Sequence, residues 1–228
     1  VTQPKIALYL GTTHSGKSWA LGLTLAAIAR PFVVILSMDR DPSIVRHIGT
    51  RRTMFCVVSR PPRFPTAQDL LDFKRQGFRY VYFEIDNVTS EEIGRFMDSL
   101  AGAVASVGDL TLAIDEAHRF CRAGVVSDEF EGFVRGSRRR GVDVLFATHG
   151  YKDLAYGVRK VLQQYVLFHT DDDNDLRALS DDLRLGRDLT DRVNQLPPYS
   201  HLFVNQLTGC VTGPIQCLEA VSRDGQII

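Results

Sequence analysis

The chain has 228 residues, 44% of them apolar, enough to bury a full core, and that length fits one α/β domain with at most a small appendage. Its 27 basic and 27 acidic residues cancel, which excludes a surface that is basic throughout and coats nucleic acid. No run reaches the roughly 18 apolar residues of a membrane-spanning helix, so a transmembrane segment is not expected. The charges are nevertheless clustered. Arg51-Arg52 and Arg138-Arg139-Arg140 form basic blocks, and aspartates gather within 171–191. The four cysteines, Cys56, Cys121, Cys210 and Cys217, include no Cys-x-x-Cys pair and no accompanying His pair, which reads as free thiols in a reducing compartment. No signal peptide is evident, and Val1 as first residue reads as a trimmed start.

Taken in chain order, the apolar run 6–10 predicts a buried strand, and 19–29 a buried helix ended by Pro31. Residues 32–37 predict a second strand. A turn at Asp39-Arg40-Asp41-Pro42 leads into a short helix over 44–48. Residues 54–59 form another apolar run, broken by Pro61, Pro62 and Pro65. Thr66 caps a helix to Gln76, with Asp69 in the capping-box position and Gly77 as the stop. An aromatic-rich strand covers 80–85. A helix runs from Thr89 to about Val107 with Glu91 and Glu92 in its first turn. Then come a strand over 109–116, a helix over 127–140, a strand over 142–148, a short helix over 158–164, a strand over 165–169 and a helix over 173–183. Pro197-Pro198 opens a hairpin of 199–205 and 210–212, turned at Leu207-Thr208-Gly209. Strands alternating with helices imply a parallel sheet wrapped on both faces.

Between the first strand and the first helix lies Gly11-Thr12-Thr13-His14-Ser15-Gly16-Lys17-Ser18. It fits the phosphate-loop pattern G-x-x-x-x-G-K-[ST], or Walker A, without departure. Glycines let successive backbone N–H groups curl toward phosphate oxygens, and the helix N-terminus adds positive potential there. Lys17 is the group to reach the β- and γ-phosphates, and Ser18 the hydroxyl to ligate Mg²⁺. The loop from Gly11 through Trp19 is therefore the expected nucleotide-binding stretch. His14 and Thr12 serve backbone shape. A turn that holds no ligand would give Lys-Ser at a helix start no packing role.

The strand 110–114 ends in Asp115-Glu116, the form of a Walker B strand. A buried strand delivers carboxylates to its C-terminal end, where ligands sit in open α/β sheets. Asp115 is expected to hold Mg²⁺ beside Ser18, and Glu116 to act as general base on the attacking water. A glutamate directly after the metal aspartate points to a hydrolase. No Asn-Lys-x-Asp motif for guanine is present, so ATP is favoured over GTP. Asp115-Glu116-Ala117-His118 spells the DEAH-box letters, but such helicases need two motor domains and this chain has room for one. The ABC signature and the helical lid of AAA+ enzymes are missing as well.

The stretch Arg138-Arg139-Arg140-Gly141, the strand 142–147 and Thr148-His149 resembles the FtsK–HerA superfamily of DNA-pumping ATPases, whose pattern is Arg-x-x-Gly, a hydrophobic strand and Thr/Ser-Gln. The acidic turn after Phe168-His169 and the closing Leu196-Pro197-Pro198-Tyr199 hairpin are similar to that superfamily too. The resemblance spans residues 6 to about 212, and its minimal members are viral genome-packaging ATPases. It implies a RecA-like (ASCE) P-loop fold with a C-terminal β-hairpin. The whole of 1–228 would be one motor domain, with a core over about 5–170 and an extension over 171–228.

In that superfamily Arg138 would be the arginine finger reaching a neighbouring subunit's γ-phosphate. Arg135 and Arg139 compete for the role, and a solvated helix end is the plain alternative. His149 stands where a γ-phosphate-sensing Gln is usual. An imidazole can donate the same hydrogen bond, and a purely structural His at the strand end stays open. Arg51, Arg52, Arg119 and Arg122 are candidates for backbone contacts to double-stranded DNA, against a simple solvated surface. The resemblance thus implies an ATP- and Mg²⁺-dependent motor that translocates double-stranded DNA into a capsid. It would work as a ring, a hexamer by family analogy, in the host cytoplasm or on the virion, with capsid-vertex or membrane proteins as partners. A conjugation or filamentous-phage export ATPase of the same core is the first rival, and a nucleotide-dependent binding module with little hydrolysis the second.

Overall fold

The computed structural model describes residues 5–216; Cys217 and the end of the expected extension lie outside the described residues. The elements are β1 (Ile6–Leu10), α1 (Lys17–Ala27), β2 (Val33–Ser37), α2 (Pro42–Ile48), β3 (Thr53–Val58), α3 (Ala67–Arg75), β4 (Tyr80–Ile85), α4 (Ser90–Val107) and β5 (Thr111–Ile114). They continue with α5 (Ala117–Phe120), α6 (Asp128–Gly136), a 3₁₀ turn (Ser137–Arg140), β6 (Asp143–Thr148), α7 (Tyr156–Arg159), β7 (Gln164–Phe168), α8 (Asp173–Leu183), α9 (Arg187–Asn194), β8 (Ser200–Asn205) and β9 (Cys210–Gln216).

The nine strands of the described residues join one sheet in the order β3-β4-β2-β5-β6-β1-β7-β8-β9. From β3 to β7 every pairing is parallel, and β8 and β9 close the sheet antiparallel. This is the mainly parallel α/β architecture with a terminal hairpin that the alternating pattern implies. The central strands β1, β2, β5 and β6 are buried along their whole length, as continuous apolar runs in a doubly covered parallel sheet must be. On one face Leu8, Val34, Leu112 and Phe146 pack under α3, α4, α6, α8 and α9. On the other, Tyr9, Ile35, Ala113 and Ala147 pack under Leu21 and Leu25 of α1 and Ile44 of α2.

Several boundaries differ from the sequence expectation. Helix α1 stops at Ala27 because Ile28 is already extended. The helix expected over 127–140 tightens into the 3₁₀ turn after Gly136. The short helix before β7 is Tyr156–Arg159 rather than 158–164. Helices α5 and α9 have no counterpart in the sequence pattern. Helix α9 offers only Leu189 and Val193, one turn apart, as an apolar stripe, and both are buried against the core. Two apolar positions in eight residues are too few to show a period, yet they are enough to seal a helix onto a surface that already exists. The capping boxes at Thr66–Asp69 and Thr89–Glu92 are both formed.

One ion cluster pins the end of the sheet opposite the site described below. The buried Asp143 accepts from Arg30 Nε at 2.7 Å and from the Lys5 backbone N–H at 2.8 Å, while Arg30 Nη1 reaches Asp109 at 2.6 Å.

Candidate nucleotide site

The loop after β1 has the shape its glycines dictate. At Gly11 a Cβ would lie 2.6 Å from Phe168 Cβ and 2.8 Å from Ser15 Oγ, so only glycine fits. Gly16 (φ 101°) and His14 (φ 62°) are in the left-handed region, glycine's natural territory and an uncommon one for His. The Gly11 N–H bonds to Thr148 O, and both the N–H and the hydroxyl of Thr12 bond to His169 O, tying the loop to the ends of β6 and β7.

Side chains of Asp41, Thr66, Thr89, Ser127 and Asp172 cap α2, α3, α4, α6 and α8. Helix α1 begins at Gly16 with no capping side chain. Its first N–H groups are left for an anion, the general arrangement of phosphate loops.

Strand β6 lies between β1 and β5, so the acids and the phosphate loop stand two strand spacings apart, about 10 Å. A terminal phosphate fits that gap. The C-terminal ends of the three neighbouring strands supply Asp115-Glu116, His149 and the loop itself. Glu116, His149, Lys17, Ser18 and Trp19 line one cavity of about 340 Å³, together with Thr13, His14, Gly16, Asp41, Ser43 and Tyr199.

Three residues form a relay across this cavity. Lys17 Nζ lies 3.3 Å from His149 Nδ1, and His149 Nε2 lies 3.0 Å from Glu116 Oε1. Nε2–H donates to the carboxylate, while Nδ1 sits between the Lys17 ammonium and the Gly11 carbonyl oxygen, the latter 3.2 Å away. Glu116 Oε2 is held by His118 Nε2 at 3.3 Å, and His118 Nδ1 is 3.3 Å from Thr148 Oγ1. Both oxygens of Glu116 are therefore engaged by imidazoles. Burial pushes the Glu116 pKa up, but the His149 hydrogen bond and the charges of His149, His118 and Lys17 outweigh it and hold the pKa below its ordinary value. Glu116 is also a non-glycine residue at φ 52°, a strained conformation of the kind kept at functional sites.

Lys17 is 4% exposed. Burial lowers its pKa, against the charges of Asp115, Glu116 and Asp41, which raise it. Asp115 is 2% exposed, and its pKa is pushed up to about 7 by burial first, then by the like charges of Asp41 and Glu116. The contrast with other buried carboxylates is informative. Asp143 has Arg30, and Asp175 accepts from the Tyr151 and Lys152 N–H groups. Asp115 Oδ1 has no hydrogen-bond partner, and neither does Ser15 Oγ in the loop. A buried, unpartnered carboxylate oxygen fits a cation ligand. Asp115 and Ser18 are the residues that would hold Mg²⁺, an ion that takes few protein ligands and completes its shell with phosphates and water.

Of the residues singled out on sequence, those from Gly11 to Trp19, Asp115, Glu116 and His149 converge here. Arg138 does not join them: it is half-buried in the 3₁₀ turn before β6, whereas the site lies after the other end of that strand. Six residues of strand put roughly 17 Å between the two ends. The four arginines considered for DNA also divide. Arg119 and Arg122 follow β5 on the site's side, while Arg51 and Arg52 precede β3 at the opposite end, and all four are exposed. Sequence reasoning passed over His118, Asp41 and Tyr199. The two-residue spacing of Glu116 and His118 carries no meaning in the sequence; it gains one when α5 sets His118 between Glu116 and Thr148.

The topology and the loop define a P-loop NTPase fold. No family model matches the chain, and no curated protein matches it. Solved structures do. The genome packaging NTPase B204 from Sulfolobus turreted icosahedral virus 2, in complex with AMPPCP, superposes with a TM-score of 0.71 over 95% of this chain and 99% of that one, at 18% identity. Its ATP-γS complex gives 0.70 over 96% and 100%, at 16% identity. VirB4 of Thermoanaerobacter pseudethanolicus gives 0.62 over 88% and 86%, at 11% identity. At these identities the shared property is the fold. No helix among the described residues is long and apolar enough to cross a membrane.

Proposed function

We propose that the chain is an ATP-hydrolysing motor that translocates double-stranded DNA, in the manner of a viral genome-packaging ATPase. The observation that carries the hydrolytic part of this reading is Glu116, restrained on both oxygens and facing the phosphate loop, with Asp115, whose Oδ1 has no hydrogen-bond partner, beside it. Lys17 and the free N–H groups of α1 bind the β- and γ-phosphates. Ser18 and Asp115 hold Mg²⁺, which neutralises phosphate charge when bound. Glu116 accepts a proton from the water that attacks the γ-phosphorus, and ADP departs. His149 links Lys17 to Glu116, so a phosphate that draws Lys17 away changes the hydrogen bond that reaches the base.

Arg138 stands at the far end of β6 from its own chain's site, which suits a finger that acts on a neighbour in a ring, hexameric by family analogy. Exposed arginines near the site, Arg119 and Arg122, serve as backbone contacts to DNA. Such a motor would act in the host cytoplasm or at the virion, against a capsid-vertex or membrane partner. The likeness in fold to VirB4 favours a second reading, a conjugation or export ATPase built on the same core.

The test is phosphate release by the purified chain with and without double-stranded DNA, beside a mass measurement of the assembly. DNA-stimulated turnover by a ring supports the motor. Turnover indifferent to DNA, or none, favours a binding module. Normal hydrolysis by Lys17→Ala would remove the site assignment altogether.

A further inference from the structure

The strand order decides which way a nucleotide must lie. The acids on β5 stand on one side of β1, beyond β6, and β7 and β8 stand on the other. A triphosphate with its terminal phosphate toward Glu116 and its length along the first turn of α1 therefore sends its base toward β7 and β8. The residue waiting there is Tyr199. It lines the same cavity as Gly16, Lys17, Ser18 and Glu116, and a Cβ on Gly16 would lie 3.6 Å from Tyr199 Cδ1.

Two features indicate that the fold itself does not ask for this side chain. Tyr199 is 45% exposed, and among the described residues its hydroxyl makes no hydrogen bond. Its backbone is at φ 59°, a left-handed conformation fixed by the turn in which the Ser200 N–H bonds to Pro197 O at 3.1 Å. Glycine or asparagine would occupy that position with less strain. A bulky aromatic kept against backbone preference, at the rim of a ligand cavity, is the pattern of a functional residue. The other aromatic on the cavity is already engaged, since Trp19 packs edge-on against His47 at 4.2 Å with Arg46 5.4 Å over its ring.

We propose that Tyr199 is the stacking platform for the base of the bound nucleotide. The inference rests on the nucleotide reading of the phosphate loop and deepens it. A flat ring gains affinity from any base through its π-face and reads none of the base's edge groups. Tyr199 thus strengthens binding of the nucleoside end without selecting the base.

The test compares ADP with inorganic tripolyphosphate, which lacks a base, as ligands of the full chain by calorimetry. In Tyr199→Gly and Tyr199→Asn, ADP should bind about tenfold more weakly, tripolyphosphate should bind as before, and Tyr199→Phe should bind ADP like the unaltered chain. The melting temperature of both non-aromatic variants should stay level or rise, because both residues accept the left-handed backbone. Unchanged ADP affinity in either folded variant, or an equal loss for ADP and tripolyphosphate, overturns the platform. Failure of the unaltered chain to bind tripolyphosphate at all would instead remove the phosphate site beneath it.

Discussion

Asp115→Asn should make the nucleotide-free protein more stable at neutral and alkaline pH while removing its use for Mg²⁺. The carboxyl's pKa rises from 3.8 in the unfolded chain to about 7 in the fold. Between those values the folded state holds the proton more tightly. Raising the pH through that window therefore takes stability away, and above about 7 the loss is complete. Three pH units at 1.36 kcal/mol each amount to roughly 4 kcal/mol at pH 8, against roughly 2 kcal/mol at pH 5. Asparagine has the same shape and no charge, so the variant escapes this loss. Its amide needs new partners, but that offset is the same at both pH values and cancels in the difference. Urea unfolding of both proteins at pH 5 and pH 8 should show the variant's advantage growing by on the order of 2 kcal/mol with pH. With ADP present, adding Mg²⁺ should further stabilise the unaltered protein and leave the variant nearly unmoved. An advantage independent of pH would refute the reasoning, because burial would then not be raising the Asp115 pKa.

His118→Ala should lower kcat by about tenfold with little change in KM, because His118 touches Glu116 and Thr148 and none of the loop residues; a rise in KM alone would argue against that role. Arg138→Ala should lower turnover by about 10³-fold and recover part of it when mixed with Lys17→Ala protein, since each supplies what the other lacks across an interface. Full activity of Arg138→Ala alone, or no recovery on mixing, excludes the finger. Arg30→Ala should destabilise the fold by about 3 kcal/mol in urea titration at pH 7, since it leaves Asp143 buried without its cation.

What could be read from the sequence was local. The phosphate loop is eight consecutive residues whose backbone demands glycine at fixed places, and the acid pair is two residues at the end of an apolar run. Strands buried on both faces announce themselves as unbroken hydrophobic stretches, and caps such as Thr66 and Thr89 act within three residues. The tertiary structure decided everything that joins distant positions. Lys17 and His149 meet across 132 residues, and His149 and Glu116 across 33. That meeting depends on β6 entering the sheet between β1 and β5, a choice set by how whole strands and helices bury one another and carried by no short motif. Tyr199 reaches Gly16 for the same reason. Helix α9 exists because two side chains found a core to cover, and the charge on Asp115 became costly only once the sheet had closed around it.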